Sequence, residues 1–219
     1  MIRIALANMF ILIMLIPGVL YADDVETTVK SIAVIPFFMG RHPDSPAKTL
    51  TCPLKDLYYD KKEVKDKADE HLTKFVFDEL LKRFDYRLLP LDSVDSIGVF
   101  KDADKSTSTI RSVAVYTGKA LEVSHVLTGA LWRYREREGG TMAVNNPASV
   151  AFKIYLIEVD NESVLWQGMY DETQKSLTEN LFQAKTFFSQ GAKWITVDEL
   201  AKFGVEDIFK NFNIAPNSN

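Results

Sequence analysis

Cysteine is nearly missing: Cys52 is the only one in 219 residues. The chain can therefore form no internal disulfide, and its stability has to come from packing. Histidine is almost as scarce, with only His42, His71 and His125. None stands at a ligand-type spacing from another, which excludes a zinc site legible in the sequence and leaves no paired imidazoles for catalysis. The chain has no phosphate loop either: "YTGKA" lacks the glycine five residues before Gly118 and the Ser or Thr after Lys119. "DADKST" opens like a calcium loop at Asp102 and Asp104. It has Thr107 where the turn needs glycine and Val113 where the bidentate Glu belongs. No internal repeat or low-complexity run occurs, which excludes solenoids and propellers. With 47% hydrophobic residues and only ten glycines, disorder over most of the length is excluded too.

Long apolar runs are confined to the opening "MIRIALANMFILIMLIPGVLYADD". Its basic Arg3, its apolar stretch broken by Asn8, its Pro17-Gly18 stop and small Ala22 before two acids have the layout of a cleaved secretory signal. The run falls short of the roughly 20 residues that span a bilayer, so the alternative of a retained anchor is the weaker one. No cysteine follows the run, which argues against a lipoprotein. The expectation is a signal over residues 1–22 and a single globular domain over residues 23–219, soluble in the periplasm or otherwise secreted, with no stable membrane insertion after cleavage. Removing the signal takes away only Arg3, so 26 − 1 = 25 basic groups face 30 acidic ones, a net of −5. That balance does not suit nucleic acid as a partner.

Periodicity orders the rest. "KSIAVIPFF" at 30–38 reads as a buried strand, and Pro43, Pro46 and Pro53 then enforce a long ordered loop. Apolar residues recur at threes and fours over 68–84, predicting a helix, and "YRLLPL" at 86–91 follows so closely that it predicts a returning strand. A second helix begins near Ile110 behind a Ser/Thr cluster. Strands follow in "HVLTGALWRYRERE", "VAFKIYLIEV" and "SVLWQGMYDE", an antiparallel meander. Helical spacing returns over 176–191 and after Thr196, where Glu199 completes a capping-box pattern. The fold class is α/β, of the two-layer α+β kind. A mixed sheet of about five strands in β-α-β-α-β-β-β order carries helices and a C-terminal helical pair.

The stretch "HVLTGALWRYRERE" changes character at Trp132. Strict alternation puts Val126, Thr128, Ala130, Trp132 and Tyr134 on one face and Leu127, Gly129, Leu131, Arg133 and Arg135 on the other. The strand is expected to run past the sheet and expose Arg133, Arg135 and Arg137, interleaved with Trp132 and Tyr134, as a contact surface. The alternative is a protruding hairpin end whose charges Glu136 and Glu138 balance. Tyr58 and Tyr59 in the long loop are the other contact candidates, either exposed or folded back over the sheet edge. Cys52 reads as a small, partly buried apolar residue rather than a reactive thiol, because no base is evident beside it. The sequence points to no catalytic residue, metal ligand or cofactor.

The element order together with "IAVIPF" and "GKALEVSHVLTGALWRYR" resembles the small α/β domain shared by the curli secretion protein CsgG, the penicillin-binding-protein activator LpoB and the N-terminal domain of TolB. Here the matching stretches are 32–37, 68–84 and 118–129, and the pattern runs from Ile32 to Phe212. The resemblance implies a periplasmic, non-enzymatic domain that binds an envelope protein or assembles with copies of itself. The lipid-bearing cysteine and long membrane-spanning hairpins of some of those proteins have no counterpart. The functional expectation is an exported envelope accessory protein acting through protein contacts. A small-ligand or anion-binding module is the alternative, with a thiol-dependent enzyme ranked last.

Overall fold

The structure is a computed structural model that describes residues 29–84, 88–95, 104–141, 143–175 and 194–214. The expected signal at 1–22 and the helix predicted over 176–191 lie outside the described residues. In chain order the elements are β1 (Ile32–Val34), β2 (Phe38–Met39), α1 (Ala68–Phe84), α2 (Leu91–Asp95), α3 (Ile110–Ala120) and β3 (His125–Arg135). A small hairpin, β4 (Glu138–Gly139) and β5 (Val144–Asn146), precedes β6 (Ser149–Glu158), β7 (Val164–Thr173) and α4 (Val197–Phe209). Strands β1-β3-β6-β7 lie in that order, with β2 also pairing to β3. β1 and β2 run parallel to β3, whereas β6 and β7 continue antiparallel. This five-stranded mixed sheet with helices is the α/β class the periodicity predicts.

Two strand expectations need correction, and proline is the reason in both. The run at 30–38 is two short strands, because Pro36 has no N–H to give the ladder. Its carbonyl accepts from Thr128 Oγ1 at 3.2 Å, and the next amide, Phe37 N, turns away to Thr73 Oγ1 on α1 at 3.2 Å. Of the strand expected at 86–91, the described part is one parallel bridge, Ile32 to Leu88, with Leu89 N donating to Ile32 O at 2.9 Å. The chain then turns into α2 directly after Pro90, whose carbonyl accepts from Ser93 N.

α1 and α4 lie on one face of the sheet. Leu72, Val76, Leu80, Leu200, Ala201 and Val205 form a core with Leu127, Leu131, Phe152, Ile154 and Leu156. α3 and the proline-stiffened loop lie on the other, where Ile110, Ala114 and Leu50 meet Val126, Ala130, Tyr155 and Ile157. α3 starts on a capping box in which Thr109 and Ser112 satisfy each other's backbone amides, and α4 on the expected one from Thr196 and Glu199. Central β3 is thus buried on both sides from His125 to Trp132.

A bulge then alters its alternation. Leu131 pairs with Phe152, but the next pair is Arg133 with Ala151, so Trp132 and Arg133 together oppose one residue. Trp132 stays on the α3 side with Ala151, and Tyr134 switches to the core under α1 and α4. The expectation that Trp132 and Tyr134 share a face, opposite Arg133, is therefore corrected. One extra residue in the strand reverses the parity of everything after it.

Candidate functional site

The end of β3 is more enclosed than strict alternation implies. Trp132 is only 6% exposed. Its ring lies under the Arg41 guanidinium, 5.4 Å from carbon to ring centroid, and among the described residues its indole N–H has no acceptor. The arginines expected to stand in solvent are half-buried, and the guanidinium groups of Arg133 and Arg135 are engaged. Arg133 Nε donates to Ser149 Oγ at 2.6 Å and its Nη2 donates to the Asp171 carboxylate. Arg135 Nη1 donates to both Glu63 oxygens, at 2.9 and 3.0 Å. Arg137 is half-buried as well, its backbone amide held by Glu136 Oε1 at 3.0 Å. Strand pairing places these acids. Asp171 lies opposite Ala151 on β7, and Glu63 precedes Val64, which forms a parallel bridge with Tyr134.

The two tyrosines divide between the expected alternatives. Tyr58 is 64% exposed, while Tyr59 lies against the core on the α3 side. Tyr58 sits on fixed backbone: its amide donates to Arg41 O at 2.9 Å and Arg41 N donates back to Tyr58 O at 3.0 Å. Gly40 makes this approach possible. Its φ is +104°, and a Cβ there would stand 3.0 Å from the Tyr58 backbone nitrogen. Gly40 N also donates to Leu131 O at 2.7 Å, which ties the loop to β3. Beside it a cleft of about 450 Å³ is lined by Phe37, Phe38, Met39, Leu54, Leu57, Tyr59 and Lys105. Trp132, Arg133, Tyr58 and Tyr59 are thereby brought to one side of the sheet, with Arg41 linking loop to strand.

Two cations on this side escape sequence reasoning. Arg41 gives no signal in "MGRHPD". Lys153 gives one: it is the only charged residue in the run 150–157. Its Nζ stands 5.1 Å from the Tyr155 ring centroid, and burial holds its pKa below the ordinary lysine value.

A separate polar cluster joins three elements on the opposite face. Tyr134 OH donates to Asp198 Oδ1 at 2.6 Å, and His71 Nδ1 lies 3.2 Å from the same oxygen. Lys65 Nζ is 3.9 Å from Asp198 Oδ2 and 3.5 Å from Glu136 Oε2. Burial by itself would raise the Asp198 pKa. The hydrogen bonds from Tyr134 and His71, with the Lys65 charge, outweigh it and hold the carboxyl below its usual value. Burial first, and then that carboxylate, push the Tyr134 phenol well above the ordinary tyrosine range. The cluster fastens α1 and α4 to β3.

Cys52 is buried, its Sγ donating to Thr49 O at 3.6 Å, and burial followed by the nearby Asp56 pushes the thiol pKa up. A buried, protonated thiol is a poor nucleophile. His42 Nδ1 accepts from Asp44 N at 3.2 Å, and no hydrogen bond joins it to Cys52 among the described residues. Nor do the described residues bring three or more metal-ligating side chains together.

No known family profile matches the chain, and no curated protein does. Among solved structures it is similar to a PelC dodecamer from Paraburkholderia phytofirmans, with 11% identity, 83% of this chain and 86% of that one covered, and a TM-score of 0.44. A lipoprotein from Neisseria meningitidis gives 15% identity over 74% of this chain and 94% of that one, with a TM-score of 0.43. The LpoB C-terminal domain from Salmonella enterica gives 15% identity over 70% and 88%, with a TM-score of 0.40. Of the groups whose pattern the sequence resembles, the LpoB type is thus among these structures.

Proposed function

We propose that this chain is an exported, soluble accessory protein of a cell envelope that works by holding a protein partner on the α3 side of its sheet, without chemistry of its own. The observation that carries the reading is Tyr58. A tyrosine 64% exposed on backbone-paired loop, beside an apolar cleft, presents a large amphipathic contact at little further ordering cost. The disposition of the thiol supports it too, since burial raises the Cys52 pKa and disfavours covalent catalysis. Export rests on the opening residues 1–22, whose layout is that of a signal.

The test uses the full chain expressed in an envelope-bearing host. A photoreactive residue at position 58 should crosslink to a discrete protein, and Tyr58→Ala should weaken the same complex by about 1–2 kcal/mol in a pull-down titration with the fold unchanged. N-terminal sequencing of the exported material should begin near Asp23. A crosslinker at position 116, another exposed tyrosine on α3, that captures the partner while position 58 captures nothing would move the contact elsewhere.

A further inference from the structure

β7 forms one rim of the sheet. Its inner edge pairs with β6, and among the described residues nothing pairs with its outer edge. The ladder fixes which backbone groups this leaves free. Gln174 N donates to Ala148 O at 3.0 Å, so alternation turns the amides and carbonyls of Glu172, Tyr170 and Gly168 toward β6 and those of Thr173, Asp171, Met169 and Gln167 outward. The outward row is open to solvent: Gln167 and Asp171 are exposed, and Met169 is 53% exposed.

Natural sheets blunt such an edge with proline, lysine, an unpaired charge or a bulge. "WQGMYDET" at 166–173 has no proline and no basic residue, and the irregularity in the β6–β7 pairing lies at the other end of the strand, beside Val164. Asp171, the one charged side chain in the outward row, is already neutralised by Arg133. The opposite rim of the sheet is closed: Leu88 bridges Ile32, Tyr58 bridges Arg41, and Val34 between them is fully buried. Head-to-tail stacking of sheets therefore has no second free rim to use, and like against like is the arrangement left for a second copy.

We infer that two copies of this chain pair β7 against β7, antiparallel about a two-fold axis at Met169, which joins their sheets into one. The pairing goes beyond the partner contact at Tyr58, which lies by the opposite rim, and does not depend on it. This register sets Met169 against its own copy and the Gln167 amide against the carboxylate of the second copy's Asp171, so no like charges meet. An axis at Asp171 would instead oppose two carboxylates. The helices fit as well. α4 packs over β6 and β7, with Gly204 against Tyr170 and Ile208 against Gly168. Its copy would lie two strand spacings away, about 10 Å, which is the distance at which helices pack side by side.

Sedimentation equilibrium of the purified chain should show a monomer–dimer equilibrium, and the Gln167, Met169 and Asp171 amides should gain protection from hydrogen exchange as concentration rises. Cys52 is buried, so an introduced thiol is the accessible one. Met169→Cys should give a disulfide-linked dimer on mild oxidation, because Cα atoms of a hydrogen-bonded antiparallel pair stand about 5.5 Å apart, within the span a disulfide bridges. Gln167→Cys, displaced from its own copy by about 14 Å along the strands, should not. Met169→Lys should weaken the dimer about fivefold by setting two ammonium groups together. Met169→Pro should abolish it with the circular dichroism unchanged, since the amide it removes faces away from β6; if that variant fails to fold, Met169→Lys and the two cysteine variants decide. A chain that stays monomeric at every concentration overturns the inference, as does a dimer that Met169→Lys does not weaken or whose three amides exchange as fast as in the monomer. Linkage through Gln167→Cys in place of Met169→Cys would refute the two-fold at Met169. Protection of those amides that is independent of concentration would mean that the edge is covered within one chain, and overturns it too.

Discussion

Asp198 ties the stability of the fold to pH through the partners it gathers. It faces Tyr134 from β3, His71 from α1 and Lys65 from the segment before α1, with Glu136 beyond the lysine. Its folded-state pKa lies below the unfolded value of roughly 3.9. Its contribution to stability is thus complete above about pH 4 and is lost as pH falls through the folded value. Asp198→Asn should be less stable than wild type at neutral pH by about 1–3 kcal/mol. Its urea midpoint should also change less between pH 5 and pH 2.5, and equal slopes for the two proteins would show that the carboxylate is not what couples this cluster to pH. Tyr134→Phe keeps the charge but removes the buried donor, and should cost about 1–2 kcal/mol by the same measurement.

At the scale of elements, the two glycines of the "GKALEVSHVLTG" stretch separate by what surrounds them. A Cβ at Gly118 on α3 would run into methyl groups of Val159 and Val126, which can shift. A Cβ at Gly129 on β3 would run into the Lys153 carbonyl oxygen of the neighbouring strand and the Phe37 ring. Backbone in the middle of a ladder cannot give way. Gly118→Ala should therefore cost about 1–2 kcal/mol and Gly129→Ala about 3 kcal/mol or more, judged by thermal midpoints. The reverse order would mean that β6 adapts more readily than α3. Periodicity made α1, α3, α4 and the β3-β6-β7 meander legible, since each buries one continuous stripe or both faces of a strand. It could not show the interruption by Pro36, because Thr73 and Thr128, which take up the freed polar groups, are remote in sequence. The bulge was hidden for a similar reason: a two-against-one pairing exists only relative to Ala151 on another strand. The candidate site was legible in its aromatic and basic composition but not in its charge balance, which depends on Glu63 and Asp171 arriving from elsewhere.

Over the whole molecule, both cores share one sheet, and β3 contributes to each, through Leu127 and Leu131 on one side and Val126 and Ala130 on the other. Damage on one face should then be felt on both. Leu131→Ala, fully buried, should destabilise by about 2–5 kcal/mol. Far-ultraviolet circular dichroism and tryptophan fluorescence should still report one coincident unfolding transition. Two separated transitions would divide the chain into independent units and refute the single-domain proposal. The bulge at Trp132 also bears on how such a chain tolerates change in length. Most strands cannot absorb the gain or loss of one residue, because every later side chain would exchange interior for exterior. β3 already contains such an added unit and has two phases, apolar before the junction and charged beyond it, much as a reading frame has a shift site. Deletion at that position would therefore only close the bulge, leaving Arg133 opposite Ala151 and Tyr134 in the interior, whereas the same deletion elsewhere in β3 would act as a spatial frameshift, so relatives that differ by one residue at this junction should still present the same rim.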